Sequence, residues 1–330
     1  MQKSTLKKLS QTLGISISTV SRALKDHPNI SEGTKNKVKE LAAIMEYEPD
    51  SYAIQLRTQK SNLLGILVPT IDNFFYDSFI AAVEEEARRF GYSVMIMQSR
   101  DDVLIETANL DILRRNRVMG LFAAVSVATD DMSVFKKMTA HDIPLIFFDR
   151  VPEETGFYKV CLADEAAAKI AAEAIIQKKK KNVLALFGHP HLSISRIRQQ
   201  SFSDTFKNTS PKTAITVNFP ETSESSESLA MAALTSAKPP DTIFCMGDMI
   251  LIGVMRAIHK LNLKVPDDIA IISISNGFIP TLYNPVITYV ETSGFKLGKL
   301  AFTQMLARLK DEVIHEIVCT ESKLVKGGSL

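Results

Sequence analysis

The sequence predicts a small all-α headpiece followed by a larger α/β domain of two lobes, each built on a parallel sheet. Three observations predict it. The first 46 residues carry apolar side chains at helical spacing in three short runs separated by turn residues. From Leu63 the texture changes to short strand-like apolar runs alternating with helical patterns over about 200 residues, the mark of parallel sheets covered by helices on both faces. That alternation is long enough for two sheets in succession, with a cleft between them.

In chain order, Leu6, Leu9 and Leu13 lie on one face of a first helix, and Gly14 supplies its stop. Ser16 is placed to cap a second helix ending near Leu24, with Val20, Ala23 and Leu24 inside. Asp26, His27, Pro28 and Asn29 make a turn. Ser31 then caps a third helix whose Val38, Leu41, Ala42 and Met45 form one apolar stripe. Pro49 stops this pattern, and residues 50–62 read as a polar, then basic linker with room for two helical turns. Strand-like runs follow at 64–68, 94–97, 121–124, 145–148, 159–162, 183–187, 242–245 and 270–274, with helical patterns such as 79–90, 166–177, 229–235 and 250–261 between them.

The chain has 330 residues, 45% of them hydrophobic and 23% charged, which is ordinary globular composition. The net charge of +2 is unevenly spread: residues 1–60 hold ten Lys/Arg against six Asp/Glu, and the remainder is slightly acidic. A basic excess at one end suits contact with phosphate, although a solvated basic surface would look the same. No apolar run approaches the ~18–20 residues of a membrane span, and the first residues lack the apolar core of a secretory signal, so a cytoplasmic location is expected. Cys161, Cys245 and Cys319 follow no metal spacing and read as buried thiols. The lysine run 178–181 reads as a solvated helix end.

Two short helices meeting at a tight Gly-containing turn form a helix-turn-helix, which leaves the second helix free to enter a major groove. Ile17, Ser18 and Arg22 would point toward base edges, and an arginine can grip guanine O6 and N7 together. Thr19 and Ser21 would bond phosphates beside the helix N-terminus. A three-helix scaffold with no nucleic-acid role is the plainer alternative.

The run LGISISTVSRALKDHPNISEGTKNKV resembles the headpiece of the lactose-repressor/galactose-repressor (LacI/GalR) family. YEPDSYAIQL resembles that family's hinge, and SNLLGILVP, IPLIFFDR, SRIRQQSF and MGDMILIGVMRAIHKLNLKVPDDIAII resemble its later blocks. The resemblance implies a headpiece at 1–46, a hinge helix and linker at 47–62, and an effector-binding and dimerisation domain at 63–330, similar to periplasmic binding proteins. In that domain an N-lobe would span about 63–160 and 289–318, and a C-lobe about 161–288 and 319–330. The headpiece resemblance adds Thr5, Leu6, Ser16 and Asn29 to the DNA-facing residues. At the hinge, Leu56 would wedge into the minor groove, with Ala53 small enough for close approach to its symmetry mate.

The resemblance also places an effector between the lobes. Asp72, Asn73, Phe74 and Phe75 would lie on a cleft loop, Asp149 and Arg150 at a strand end facing the same crevice, and Arg198 where the family bonds its effector. Asp248 precedes a helix, where capping is its plainer role. The family usually reads Gly-Phe-Asp-Asp after the strand at 271–272, and this chain has Ser273-Ile274-Ser275-Asn276. Ser275 cannot accept two sugar hydroxyls as a carboxylate does, which leaves Asn276 to substitute in part.

The expectation is a sequence-specific transcriptional regulator. It would be a homodimeric repressor on pseudopalindromic operator DNA, answering a carbohydrate-like effector, with no cofactor, metal or catalytic residue. An α/β enzyme is the rival, but the sequence holds no Walker A, G-x-G-x-x-G, G-x-S-x-G or H-E-x-x-H. His189 and His191 form the one close histidine pair, and no third ligand is evident. A periplasmic binding protein would have no use for residues 1–60.

Overall fold

Thr5, Ser16 and Ser31 each open a helix by accepting a hydrogen bond from the backbone N–H three residues on, at Lys8, Thr19 and Thr34. In this computed structural model, which describes residues 5–47 and 61–330, the helices are α1 (Leu6–Leu13), α2 (Ile17–Leu24) and α3 (Glu32–Ile44). Gly14, at φ 65°, ends α1 in the left-handed conformation, and its N–H bonds the Ser10 carbonyl. Leu9, Val20, Ala23, Val38 and Ala42 are buried together, with Leu6, Leu13, Leu24, Leu41 and Met45 packed around them. A module of about 45 residues has a net stability of only about 2–7 kcal/mol, so three caps worth about 1 kcal/mol each carry a sizeable share.

The chain divides into two compact units, Met1–Ser61 and Asn62–Leu330. The second unit runs β1 (Leu63–Val68), α4 (Phe74–Arg89), β2 (Ser93–Gln98), α5 (Val103–Arg115), β3 (Gly120–Ala123), α6 (Ser133–Ala140), β4 (Leu145–Phe148) and β5 (Tyr158–Cys161). It continues with α7 (Asp164–Gln177), β6 (Asn182–Leu186), α8 (Ser193–Thr209), β7 (Ala214–Asn218), α9 (Ser223–Leu234), β8 (Thr242–Cys245), α10 (Asp248–Lys260) and β9 (Ala270–Ser275). β10 (Thr288–Glu291), α11 (Gly294–Leu309), β11 (Ile317–Cys319) and β12 (Lys323–Val325) complete it.

One sheet has the order β2-β1-β3-β4-β5-β11 and the other β7-β6-β8-β9-β10-β12. In each, the chain reverses its winding direction beside the first strand, the place where open α/β sheets leave a crevice at their strand ends. Both faces of the first sheet are buried. Leu64, Ile66 and Val68 pack with Phe79, Phe122 and Phe148, while Leu67 packs on the opposite side with Leu121, Phe135 and Phe147. That explains why these strands read as continuous apolar runs. Helix α11 crosses α4 so closely that a Cβ on Gly294 or Gly298 would lie 2.3 Å or 2.6 Å from the Phe75 or Phe79 carbonyl oxygen. Only glycine permits that approach.

The chain passes between the sheets three times: from β5 into α7, from β10 into α11, and from β11 into β12. Three details depart from the sequence reading. β12 pairs antiparallel with β10, so the second sheet is not wholly parallel. β10 belongs to the second sheet, so the return to the first lobe falls after Glu291 rather than at 289. Of the three cysteines only Cys245 is buried; Cys161 is half-buried and Cys319 exposed, because β11 is an edge strand. No helix among the described residues is long and apolar enough to cross a membrane.

Candidate nucleic-acid interface and ligand cleft

Helix α2 buries Val20 and Ala23, and this turns Ile17, Ser18 and Arg22 outward. Ile17 is 46% exposed, which is high for an isoleucine. At the helix start the Ser16 Oγ lies 2.7 Å from the Ser18 Oγ and 2.8 Å from the Thr19 Oγ1, and it accepts from the Thr19 N–H at 3.1 Å. The first turn holds no acidic residue, so the positive end of the helix dipole is not neutralised from within. Ser21 is half-buried and Asn29 exposed, with the Asn29 N–H donating to His27 Nδ1.

The headpiece ion pairs among the described residues are Lys35–Glu32 and Lys39–Asp26, which leaves Lys7, Lys8 and Arg22 without an acidic partner there. Two expected contact residues are already engaged: the Thr5 hydroxyl caps α1, and Leu6 packs against the headpiece core. Ala53 and Leu56 lie outside the described residues.

Between the two sheets lies a cavity of about 560 Å³, walled by strand ends and helix starts of both lobes. It gathers Asn73, Phe74, Phe75, Asp149, Arg198, Asp248 and Asn276, together with Arg150. Asp72 is not in its wall; it sits exposed in the preceding turn, its N–H bonded to Thr70 Oγ1. Phe74 and Phe75 are not on a loop either. Asn73 caps α4 by accepting from the Phe75 N–H at 2.8 Å, and the two rings stand on the first helical turn.

In the first lobe Asp149 accepts from the Tyr76 hydroxyl at 2.8 Å, and Arg150 pairs with Asp101 at 2.5 Å. Asp149 and Asp101 follow strands β4 and β2 with φ of 56° and 58°, a conformation Asp tolerates better than most residues. Burial, then the Asp149 charge, holds the Tyr76 hydroxyl well above the ordinary tyrosine range. Burial opposes the Arg150 charge, but the Asp101 and Asp149 carboxylates support it and its pKa is raised.

In the second lobe Arg198 is 4% exposed. It donates through Nε to Asp164 at 2.8 Å and through Nη1 to the Met246 carbonyl at 2.9 Å, with Nη2 also 2.7 Å from Asp164. Burial pushes the Asp164 carboxyl up to about 6 despite the arginine beside it. Arg198 therefore reaches the cleft as half of a buried ion pair.

Asp248 is not a cap: Gly247 occupies that position and α10 has no side-chain cap. Its carboxylate accepts from the Ser275 hydroxyl and, at 3.3 Å, from the Asn276 N–H. Burial raises its pKa against those two bonds. Asn276 is committed elsewhere. Its amide donates to the Phe74 carbonyl at 3.1 Å and its oxygen accepts from the Gly294 N–H at 3.0 Å, so it bridges the lobes. At the same rim the Phe74 and Phe278 rings lie 5.4 Å apart. A second bridge runs from Ser193 Oγ to the Val151 carbonyl at 3.0 Å and from Arg196 to Glu153.

Sequence reasoning missed Tyr76, Asp101 and Asp164. The signal for Asp101 was an acid just past a strand end, the same position that exposed Asp149; Tyr76 and Asp164 gave no comparable one. His189 and His191 stack edge to face at 5.0 Å, with Glu221 3.6 Å from His189; among the described residues no cluster of three or more such groups could hold a metal ion.

A helix-turn-helix headpiece ahead of a two-lobed domain with a central cleft defines a class, the DNA-binding transcriptional regulators. Residues 5–50 match the bacterial regulatory proteins of the lacI family, and residues 172–330 match a periplasmic binding protein-like domain. The chain is 25% identical to the HTH-type transcriptional repressor PurR of Vibrio vulnificus (strain CMCP6), over 93% of this chain and 92% of that protein. It is 26% identical to the ribose operon repressor of Bacillus subtilis (strain 168), over 94% of each. Its fold is that of the Lac repressor dimer bound to operator and the anti-inducer ONPF, with a TM-score of 0.88 at 22% identity over 99% of both chains. The transcriptional regulator CelR in complex with cellobiose superposes with a TM-score of 0.71 at 18% identity, over 99% of this chain and 100% of that one. The chain thus carries a LacI-family helix-turn-helix domain and a periplasmic-binding-protein-like domain, and the relatives it resembles are LacI/PurR-type transcriptional repressors, not enzymes.

Proposed function

We propose that the protein is a homodimeric repressor that binds a pseudopalindromic operator in the cytoplasm, its affinity set by a small, carbohydrate-like molecule held between the lobes. The observation that carries the reading is the outward face of α2, where Ile17, Ser18 and Arg22 are exposed and Arg22 has no acidic partner among the described residues. An exposed cation left without an acid, on a helix whose first turn holds no acidic residue, suits a polyanion, and its fork suits a guanine edge.

Two-fold symmetry in the protein asks for two related half-sites. Exposed Leu104, Ile105 and Ile112 on α5, and Ile96 on the edge strand β2 beside it, support self-association. The names of the relatives, a ribose operon repressor and a regulator bound to cellobiose, favour a sugar-like effector. In this reading Leu56 is the minor-groove wedge and Ala53 allows the two hinges to approach. The bridges through Asn276 and Arg196 are the contacts that effector binding would remake, since a ligand shifts an equilibrium only by contacting its two states differently.

A mobility-shift assay with genomic fragments tests it. A discrete shift that survives competitor DNA is expected; smearing that vanishes with competitor would overturn the DNA-binding role assigned to α2.

A further inference from the structure

Arg150 and Arg198 both reach the cleft already answered by the protein, the first by Asp101 and the second by Asp164 and the Met246 carbonyl. The acids are treated differently. Asp149 is held by the Tyr76 hydroxyl and Asp248 by the Ser275 hydroxyl, and among the described residues neither forms an ion pair. Glu221, also in the wall, has only His189, at 3.6 Å, as an ionic neighbour among the described residues. A hydroxyl that donates to a carboxylate favours its charge without cancelling it; at Asp248 burial outweighs that bond, a cost that a bound cation would offset.

Several donors of the wall are already engaged. All three Arg198 nitrogens, the Asn276 amide and the Ser275 hydroxyl are bonded within the protein. Three of the helix starts that face the cavity are occupied as well: Asn73 caps α4, Thr222 caps α9, and α10 carries Asp248 in its own first turn, whereas α8 has neither a side-chain cap nor an acid there. The rest of the wall includes Phe75, Leu162, Leu192, Met246 and Ile274, apolar surface that screens charge poorly.

We propose that the cleft takes a ligand bearing a positively charged amine, which Asp149 and Asp248 receive, and that it rejects phosphorylated and carboxylated molecules. This rests on the effector-cleft reading above and narrows it. A polyol hydroxyl can bond the wall but carries no charge, so it leaves the field of Asp149 and Asp248 uncancelled. An ammonium has three donors and no acceptor, and it removes the net negative field that a neutral ligand would leave.

The test is calorimetry and thermal shift on the full chain with two matched sets: D-glucosamine, D-glucose and D-glucose 6-phosphate; and putrescine, 1,4-butanediol and succinate. At least one amine should raise the melting temperature and bind at least tenfold more tightly than its hydroxyl counterpart, with no response to glucose 6-phosphate or succinate. Asp149→Asn, which keeps an acceptor for Tyr76, and Asp248→Asn should each weaken amine binding at least tenfold. Raised salt should weaken it further. The proposal falls if a neutral or anionic member binds as well as the amine, if no amine stabilises the protein, or if both variants keep full amine affinity. A mobility shift on the same preparation separates the failures. A discrete shift without an amine response sinks the ligand class alone, whereas loss of the shift sinks the regulator reading.

Discussion

The headpiece and the cleft treat their cations in opposite ways. On α2 the Arg22 guanidinium stands exposed with no acid among the described residues to hold it, while the hydroxyls of Ser16, Ser18 and Thr19 cluster at the helix start. In the cleft Arg150 and Arg198 are each fixed by a carboxylate from a neighbouring element, and Arg198 is almost wholly buried. A surface that meets a polyanion leaves its positive charge and its flexible donors unspent until the partner arrives. A cavity between lobes has to hold its charges in place beforehand, because an unpaired ion in a poorly solvated wall is costly. In the proposed reading the arginines of one protein do two jobs: Arg22 reads DNA, and the others are framework.

Four substitutions or titrations would break or sharpen that contrast, taken from the largest expected effect. Arg198→Ala strands Asp164 as a buried carboxylate and should cost about 3–5 kcal/mol of stability. Chemical denaturation would measure this, and a loss under about 1 kcal/mol would mean that the pair is not structural. Replacing both partners, Arg198→Met with Asp164→Leu, should recover most of the loss. Second, Arg22→Ala should leave stability within about 0.5 kcal/mol but cost about 1–3 kcal/mol of operator binding per half-site and relax preference at one base pair. Binding-site selection reads this, and unchanged selectivity would remove Arg22 from readout. Third, Ser16→Ala should destabilise the headpiece by about 0.5–2 kcal/mol through loss of the Thr19 cap bond, seen as earlier melting of residues 6–44 by hydrogen exchange.

Outside that order stands a pH slope. Folded Asp164 keeps its proton up to about pH 6, whereas an unfolded aspartate loses it near about 3.9. Between those values the folded chain binds the additional proton. The stability this residue contributes is therefore fully present below about pH 4 and is lost as pH rises through about 6. Urea titrations of the wild type and Asp164→Asn across that window should diverge in slope; parallel curves would place the carboxyl's titration elsewhere.

How legible each region was follows from how local its interactions are. The headpiece helices are set by caps and apolar spacings within eight to thirteen residues, and their inward residues Leu9, Val20 and Val38 could be read directly. The cleft is assembled from side chains far apart in sequence: Tyr76 with Asp149, Arg198 with Asp164, Asn276 with Phe74. No period in the chain encodes those pairings, so the residues were found by resemblance while their partners were not. Strand β7 escaped notice because it lies at a sheet edge and is only partly buried, and β11 and β12 because three residues are too few to show alternation. Ser275 was noticed as a lost carboxylate. Its bond to Asp248 showed that the acid facing the cavity comes from the start of a helix instead.

The three passages of the chain between the two sheets bear on how this protein can be recombined. The headpiece is one continuous stretch, joined to the remainder at a single boundary near Ser61, so it can be exchanged for another by one crossover. Neither lobe is continuous. The first comprises the segment that ends with β5, then α11 and β11, and the second takes everything between together with β12. A chimera that exchanged one lobe would need three junctions placed in register, and a single crossover anywhere between β5 and β10 would mix strands of foreign origin within one sheet. In such an architecture, a new headpiece is reached by cutting and joining, whereas a new cleft has to come from point changes in place.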